Sequence, residues 1–142
     1  MRRISLVMCS RSKRPARSAA RDLYNSPRYL RDRAAAEATR DDWLILSGKY
    51  GLVDPDCVIE PYDFDLNAAS PLAKFFLRVR IGTQLLRLVG LTSPLRVELY
   101  AEGAYRVCSI AALYWLGFRL YPTQGKSGAS ATLIRAKIVR GE

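Results

Sequence analysis

Between Ile4 and Cys9 the chain reads Ile-Ser-Leu-Val-Met-Cys and then turns small and polar at Ser10. A run this short is too brief for a helix, and it lacks the alternation of a strand with one wet face. It predicts a strand covered on both sides, as in the interior of a parallel sheet with helices over each face. Similar runs recur at 43–47, 95–100 and 118–121, each separated from the last by helix-period sequence. Strands alternating with helices define an α/β fold. The expectation is a single domain over residues 1–142, a three-layer sandwich around a four-stranded, mainly parallel sheet.

The punctuation between these runs supports that reading. Residues 16–23 can form a short helix, ended by Asn25-Ser26-Pro27. Ser26 before Pro27 is an N-cap followed by proline at the first helical position, so helix is predicted over 27–39. Gly48 and Gly51 bound a tight turn after 43–47. Residues 52–69 show no period and read as the longest loop, and long loops in compact domains are usually functional. Ser70-Pro71 repeats the helix-start signal for 71–89. Helix is further expected over 104–116 and from Gly125 to about residue 139. Ligands of such sheets bind beyond the carboxyl ends of the strands. That rule gathers Cys9-Ser10, Ser47 to Gly51, Ala101 to Gly103 and Pro122 to Gly128 at one edge.

Composition removes several chemistries. The chain has no histidine, which excludes a Ser-His-Asp triad, a Cys-His pair and an HExxH zinc site. Proton transfer then falls to Asp, Glu, Lys, Tyr or Cys. Cys9, Cys57 and Cys108 are far apart with no CxxC, so neither a zinc ribbon nor a disulfide framework is expected. No GxGxxG follows a strand, and no cofactor or metal is expected. No stretch approaches the roughly 20 apolar residues of a membrane span; a cytoplasmic protein is expected. The net charge of +10, from 23 basic and 13 acidic residues, favours a polyanionic partner. Every charge from Arg2 to Arg21 is basic, whereas 51–73 carries Asp54, Asp56, Glu60, Asp63 and Asp65 before its first lysine at Lys74. A basic lobe beside an acidic loop suggests a binding surface next to a carboxylate site; local pairing with arginines is the plainer account.

Four segments have the residues for chemistry. Ser10-Arg11-Ser12-Lys13 follows the first strand and suits a phosphate or carboxylate. Ser47, Lys49, Tyr50 and Gly51 put a hydroxyl, an ammonium, a stacking ring and close backbone access at one strand end. Tyr62 and Asp63, inside Glu60-Pro61-Tyr62-Asp63-Phe64-Asp65, combine aromatics with carboxylates. Gly125-Lys126-Ser127-Gly128 is not a Walker A loop, because position 120 is Leu rather than Gly, but a glycine-rich helix start can still bind an anion. Each segment also fits an ordinary turn.

The order of these pieces carries a resemblance. Cys9, Ser10 and Lys13, then Leu23, Tyr24 and Ser26, then Ser47, Lys49, Tyr50, Gly51 and Leu52, then Pro61, Tyr62, Asp63 and Leu66 resemble a small bacterial and phage family of unknown function over nearly the whole chain. A Gly103–Tyr105 segment after a strand completes the pattern. That family is distantly similar to the uracil-DNA-glycosylase-like fold, as are domains attached to archaeal tRNA-guanine transglycosylases and peroxide-stress DNA-binding proteins. The resemblance implies N-glycosidic chemistry on a nucleobase. Residues 51–56 are similar to the water-activating loop of uracil-DNA glycosylases, with an extra residue and no Tyr after Pro55; the histidine those enzymes place near the leaving base has no counterpart.

The resulting expectation is a base-excising N-glycosylase that hydrolyses the base–sugar bond of a modified base in nucleic acid, DNA ahead of RNA. Asp63 is the first catalytic candidate, with Asp54 and Lys49 behind it. Ser10, Lys13, Ser47, Tyr50, Gly51, Tyr62, Gly103 and Tyr105 are candidates to hold the substrate. Arg11, Lys13, Arg14, Arg17, Lys126 and Ser127 are candidates for phosphate. The alternatives are a non-catalytic DNA- or RNA-binding protein and a small-molecule nucleotide N-glycosidase.

Overall fold

The computed structural model describes residues 1–122 and 128–136. Its elements run β1 (Arg2–Met8), β2 (Ser18–Ala19), α1 (Ala20–Leu23), α2 (Pro27–Ala38), β3 (Asp42–Ser47), β4 (Gly51–Val53), β5 (Val58–Ile59), a 3-10 turn (Leu66–Ala68), α3 (Pro71–Val89), β6 (Leu95–Tyr100), α4 (Gly103–Trp115), β7 (Arg119–Tyr121) and β8 (Ala131–Arg135). The helix starts follow their caps: the Ser26 hydroxyl accepts from Tyr29 N at 3.1 Å, and Ser70 accepts from Ala73 N at 3.1 Å. Leu77, Ile81, Leu85 and Val89 make the buried stripe of α3, which Gly90 ends at φ 65°.

The sheet corrects the expected four-stranded, mainly parallel arrangement. It has six strands in the order β4-β3-β1-β6-β8-β7. Only β3-β1 and β1-β6 are parallel; β4, β8 and β7 join antiparallel. The central β1 is buried at every residue from Ile4 to Met8, so both of its faces are covered. Helix α2 packs against β1, while α3 and α4 pack against each other and α3 reaches β4.

The two unexpected strands have physical reasons. β4 is the return arm of a tight hairpin, with Ser47 opposite Gly51. Its backbone is satisfied on the other side by one amide: Gln84 Oε1 accepts from Leu52 N at 2.8 Å, and Gln84 Nε2 donates to Tyr50 O and Leu52 O. β8 occupies 131–135, where helix was expected. Thr132 lies opposite the buried Glu98 and donates to its Oε2 at 2.7 Å, while Arg96 holds Oε1. That pairing is available only in a strand. The 52–69 segment is also less irregular than expected, since β5 pairs with β2 and ties the acidic loop to the basic N-terminal lobe. Among the described residues, no helix is long and apolar enough to cross a membrane.

Candidate functional site

The chain leaves β1 toward β3 on one side and later returns across it to β6 on the other. The two loops beyond β1 and β6 therefore part, and a crevice opens between them. It holds a cavity of about 520 Å³, within the range of small-ligand sites. Cys9 to Ser12 come from the end of β1, Ser26 and Arg28 from the start of α2, Phe64, Asp65 and Asn67 from the long loop, and Glu102 and Tyr105 from beyond β6.

The walls are held by short-range bonds. Arg28 Nη2 donates to Cys9 O at 2.6 Å and its Nη1 to Asp32 Oδ2 at 3.1 Å, fixing α2 against the end of β1. Ser10 Oγ donates to Ser12 O at 2.6 Å. Asp65 Oδ1 accepts from Asn67 N at 3.0 Å, and Asn67 Oδ1 accepts from Ala104 N at 3.0 Å. Asn67 thus supplies the cap that Glu102 does not, leaving the Glu102 carboxylate exposed at the cavity. Tyr105 is buried, its hydroxyl 3.7 Å from Cys9 Sγ; burial and the nearby thiol hold its phenol protonated above the ordinary range. A Cβ on Gly48 would stand 2.9 Å from both the Phe64 ring and the Tyr105 hydroxyl, so glycine permits this close approach.

Next to this cavity lies a tyrosine cluster at the end of β3. Ser47 Oγ accepts from Lys49 N at 3.2 Å and Tyr50 N at 3.1 Å. With both lone pairs engaged, its proton goes to Tyr62 OH, 2.6 Å away. Tyr62 OH lies 2.6 Å from Tyr24 OH. Tyr50 packs edge-on to Tyr62, with ring centroids 5.4 Å apart. Lys13 Nζ lies 4.4 Å from the centroid of Tyr62 and donates to Arg11 O. Burial lowers the Lys13 pKa, against the opposing pull of Cys9 and Asp63.

The predicted residues therefore divide. Ser10, Arg11 and Tyr105 line the cavity, and Gly103 opens α4 beside it at φ 58°. Lys13, Ser47, Tyr50 and Tyr62 form the neighbouring cluster; Lys49 is exposed, with Nζ 5.2 Å from the Tyr50 centroid. Gly51 packs against Gln84 and Arg80 rather than either space. Asp63 is exposed and faces Lys13, off the cavity wall. Asp54 is not brought to this edge. It accepts from Asp56 N at 2.8 Å in a turn beside Arg2 and Asp42, the starts of β1 and β3. Because β4 runs antiparallel to β3, it carries Asp54 to the far end of the sheet. Arg14 and Arg17 are exposed, and Arg17 lies 3.9 Å from Glu60. Lys126 and Ser127 lie outside the described residues.

Most of the cavity wall was not among the predicted residues, notably Arg28, Phe64, Asp65, Asn67 and Glu102. Phe64 and Asp65 belong to the aromatic–acidic segment already singled out, and Arg28 follows the Ser26-Pro27 cap. Glu102 lies within the Ala101 to Gly103 stretch that the strand-end rule gathered at this edge, but it was not named as a candidate. Among the described residues, no group of three or more Cys, Asp or Glu is placed to hold a metal.

Residues 4–121 match the model of a family of unknown function, DUF6884. No curated protein and no solved structure matches the chain.

Proposed function

We propose that this chain, which belongs to the DUF6884 family of unknown function, is an N-glycosidase that releases a base from nucleic acid, DNA ahead of RNA. The observation that carries the reading is the crevice between β1 and β6. It brings two cations, Arg11 and Arg28, together with two carboxylates, Asp65 and Glu102, and the Phe64 ring. The distant similarity of the family that the strand-end motifs resemble to uracil-DNA-glycosylase-like proteins suggests the same chemistry, but the loop that itself resembles theirs, residues 51–56, carries Asp54 to the opposite end of the sheet and takes no part in it.

Hydrolysis breaks the C1′–N bond, its electron pair leaving with the base, while water forms the new C1′–O bond and the proton it loses ends on the departing base. Positive charge grows on the sugar, and a carboxylate at that point stabilises it and orients the water. Asp65 takes this role in preference to Asp63. Its one oxygen is fixed by Asn67 N and it stands on the cavity wall. Arg11, which is exposed, suits the flanking phosphate, while Arg28 is held by Cys9 O and Asp32 and adds its charge from within the wall. The extruded base needs an aromatic face, which Phe64 offers. A Schiff-base route through Lys49 is less well supported, since an amine nucleophile needs desolvation and Lys49 is exposed.

The test is mass spectrometry of bases released from modified and unmodified oligonucleotides, and from free nucleotides. Asp65→Asn should lower release by about 100-fold, in line with loss of one electrostatic stabiliser, while leaving oligonucleotide binding in place. Borohydride should trap no covalent complex. Release that is undiminished in both Asp65→Asn and Glu102→Gln would overturn the assignment, as would the absence of release from every substrate. Turnover of free nucleotides alone would identify a small-molecule enzyme instead.

A further inference from the structure

A second concave surface adjoins the crevice. Asn67 stands on the wall of both. This groove, about 390 Å³, runs between α3 and α4, with Lys74 and Arg78 on one side, Val107 on the other and Cys108 beneath. Helix α3 carries Lys74, Arg78, Arg80 and Arg87 and no acid from Pro71 to Val89. Among the described residues, neither Lys74 nor Arg78 has an ion-pair partner.

The outward side of the helix pair is aromatic as well as basic. Phe76 is 61% exposed and Trp115 55% exposed, and with Phe75 they form a contiguous open aromatic patch. Phe75 lies between them, its centroid 6.1 Å from Phe76 and 6.4 Å from Trp115. The Arg78 guanidinium sits 5.5 Å from the Phe75 ring and 6.0 Å from the Trp115 ring. Cations set among open rings match the chemistry of a strand whose phosphates and base faces are both accessible.

We infer that the α3–α4 face is a track for single-stranded nucleic acid, along which the strand carrying the target nucleotide continues from the crevice, past Asn67, into the groove. This rests on nucleic acid being the substrate in the reading above. Charge complementarity selects this occupant over a second copy, because two such faces would repel one another. A bilayer is a poorer match, because it takes apolar side chains at the centre with cations at the margin, and here Arg78 lies among the rings. A duplex hides its base faces and would leave Phe76 and Trp115 without a stacking partner.

The experiment is fluorescence anisotropy with a labelled single-stranded oligodeoxynucleotide and with its annealed duplex, over a range of salt. The single strand should bind more tightly. Trp115→Ala and Phe76→Ala should each weaken it about tenfold, the loss of one stacked base, and Trp115→Phe should retain most of the affinity. Lys74→Gln and Arg78→Gln should each flatten the log–log salt slope by about 0.7. All of these positions are at least partly exposed, and an unchanged melting temperature confirms that the variants fold.

Equal binding of single strand and duplex, unaffected by the aromatic variants, would overturn the track. So would binding to anionic phospholipid vesicles without oligonucleotide binding, or self-association that Trp115→Ala abolishes. Base release with the track variants inert refutes the track and leaves the glycosidase reading intact. Single-strand binding through these residues without any base release supports the track and refutes the glycosidase.

Discussion

Tyr24, Tyr62 and Tyr105 place three phenols at the carboxyl edge of the sheet, and burial raises the pKa of each. The unfolded chain ionises them near the ordinary value of about 10. Above that pH it releases protons that the folded state keeps, so unfolding gains from each further rise. The stability these phenols contribute is fully present below pH 10 and is lost as pH climbs through their folded values. Lys13, with its lowered pKa, has the opposite sign: just below its unfolded value the unfolded chain holds more protons, so stability rises with pH in that window. One lysine opposes these three tyrosines, and Tyr29 and Tyr100, also raised by burial, act in the tyrosines' direction. The urea midpoint should therefore fall above pH 10, and Tyr62→Phe should reduce the slope of that fall. A midpoint that holds steady through pH 11 would contradict the burial argument. At this scale the sequence was legible where a residue type has a single use. Ser47 and Tyr62 were each candidates to hold the substrate, and the fold puts their hydroxyls 2.6 Å apart. The sequence pointed to Asp63 and passed over Asp65; which carboxylate meets the cavity is set by the turn at Leu66–Ala68, whose Asx bond from Asp65 is visible only in three dimensions.

At the level of elements, Arg135 joins three segments. From β8, its guanidinium donates to Val89 O and Gly90 O at the end of α3, to Leu116 O at the end of α4, and its Nε to Ser93 O. A cation at two helix C-termini satisfies carbonyls that have no partner within the helix and opposes both dipoles. Arg135 is 3% exposed, so its loss would leave these acceptors buried and unpaired. Arg135→Met should cost roughly 3 kcal/mol or more in urea unfolding, and Arg135→Lys should recover little, since one ammonium cannot span both helices. A loss under about 1 kcal/mol would show that water replaces the bonds. The helices α2 and α3 were legible because Ser-Pro caps announce them. β8 was not, because Ala131, Leu133, Ile134 and Ala136 fit a helix equally well and the deciding partner, Glu98, lies far away in sequence. Tertiary pairing overrides local preference in such segments.

The whole molecule adds strand order, which no local pattern carries. The crevice exists because β1 sits between β3 and β6, and its walls come from the two ends of that arrangement. Ile4 is parallel to Val97 and opposite Asp42 on its other side. During synthesis, then, β1 emerges before both of its neighbours and is enclosed only when β6 arrives. Its apolar residues must wait for α2 and β3, and then for β6. At roughly 5–20 residues per second, the interval before β6 arrives is on the order of ten seconds. Through that time a strand built to be dry on both sides has one hydrogen-bonding edge open to any other nascent chain. The position that makes the crevice also leaves one edge of β1 open to mispairing until β6 is made.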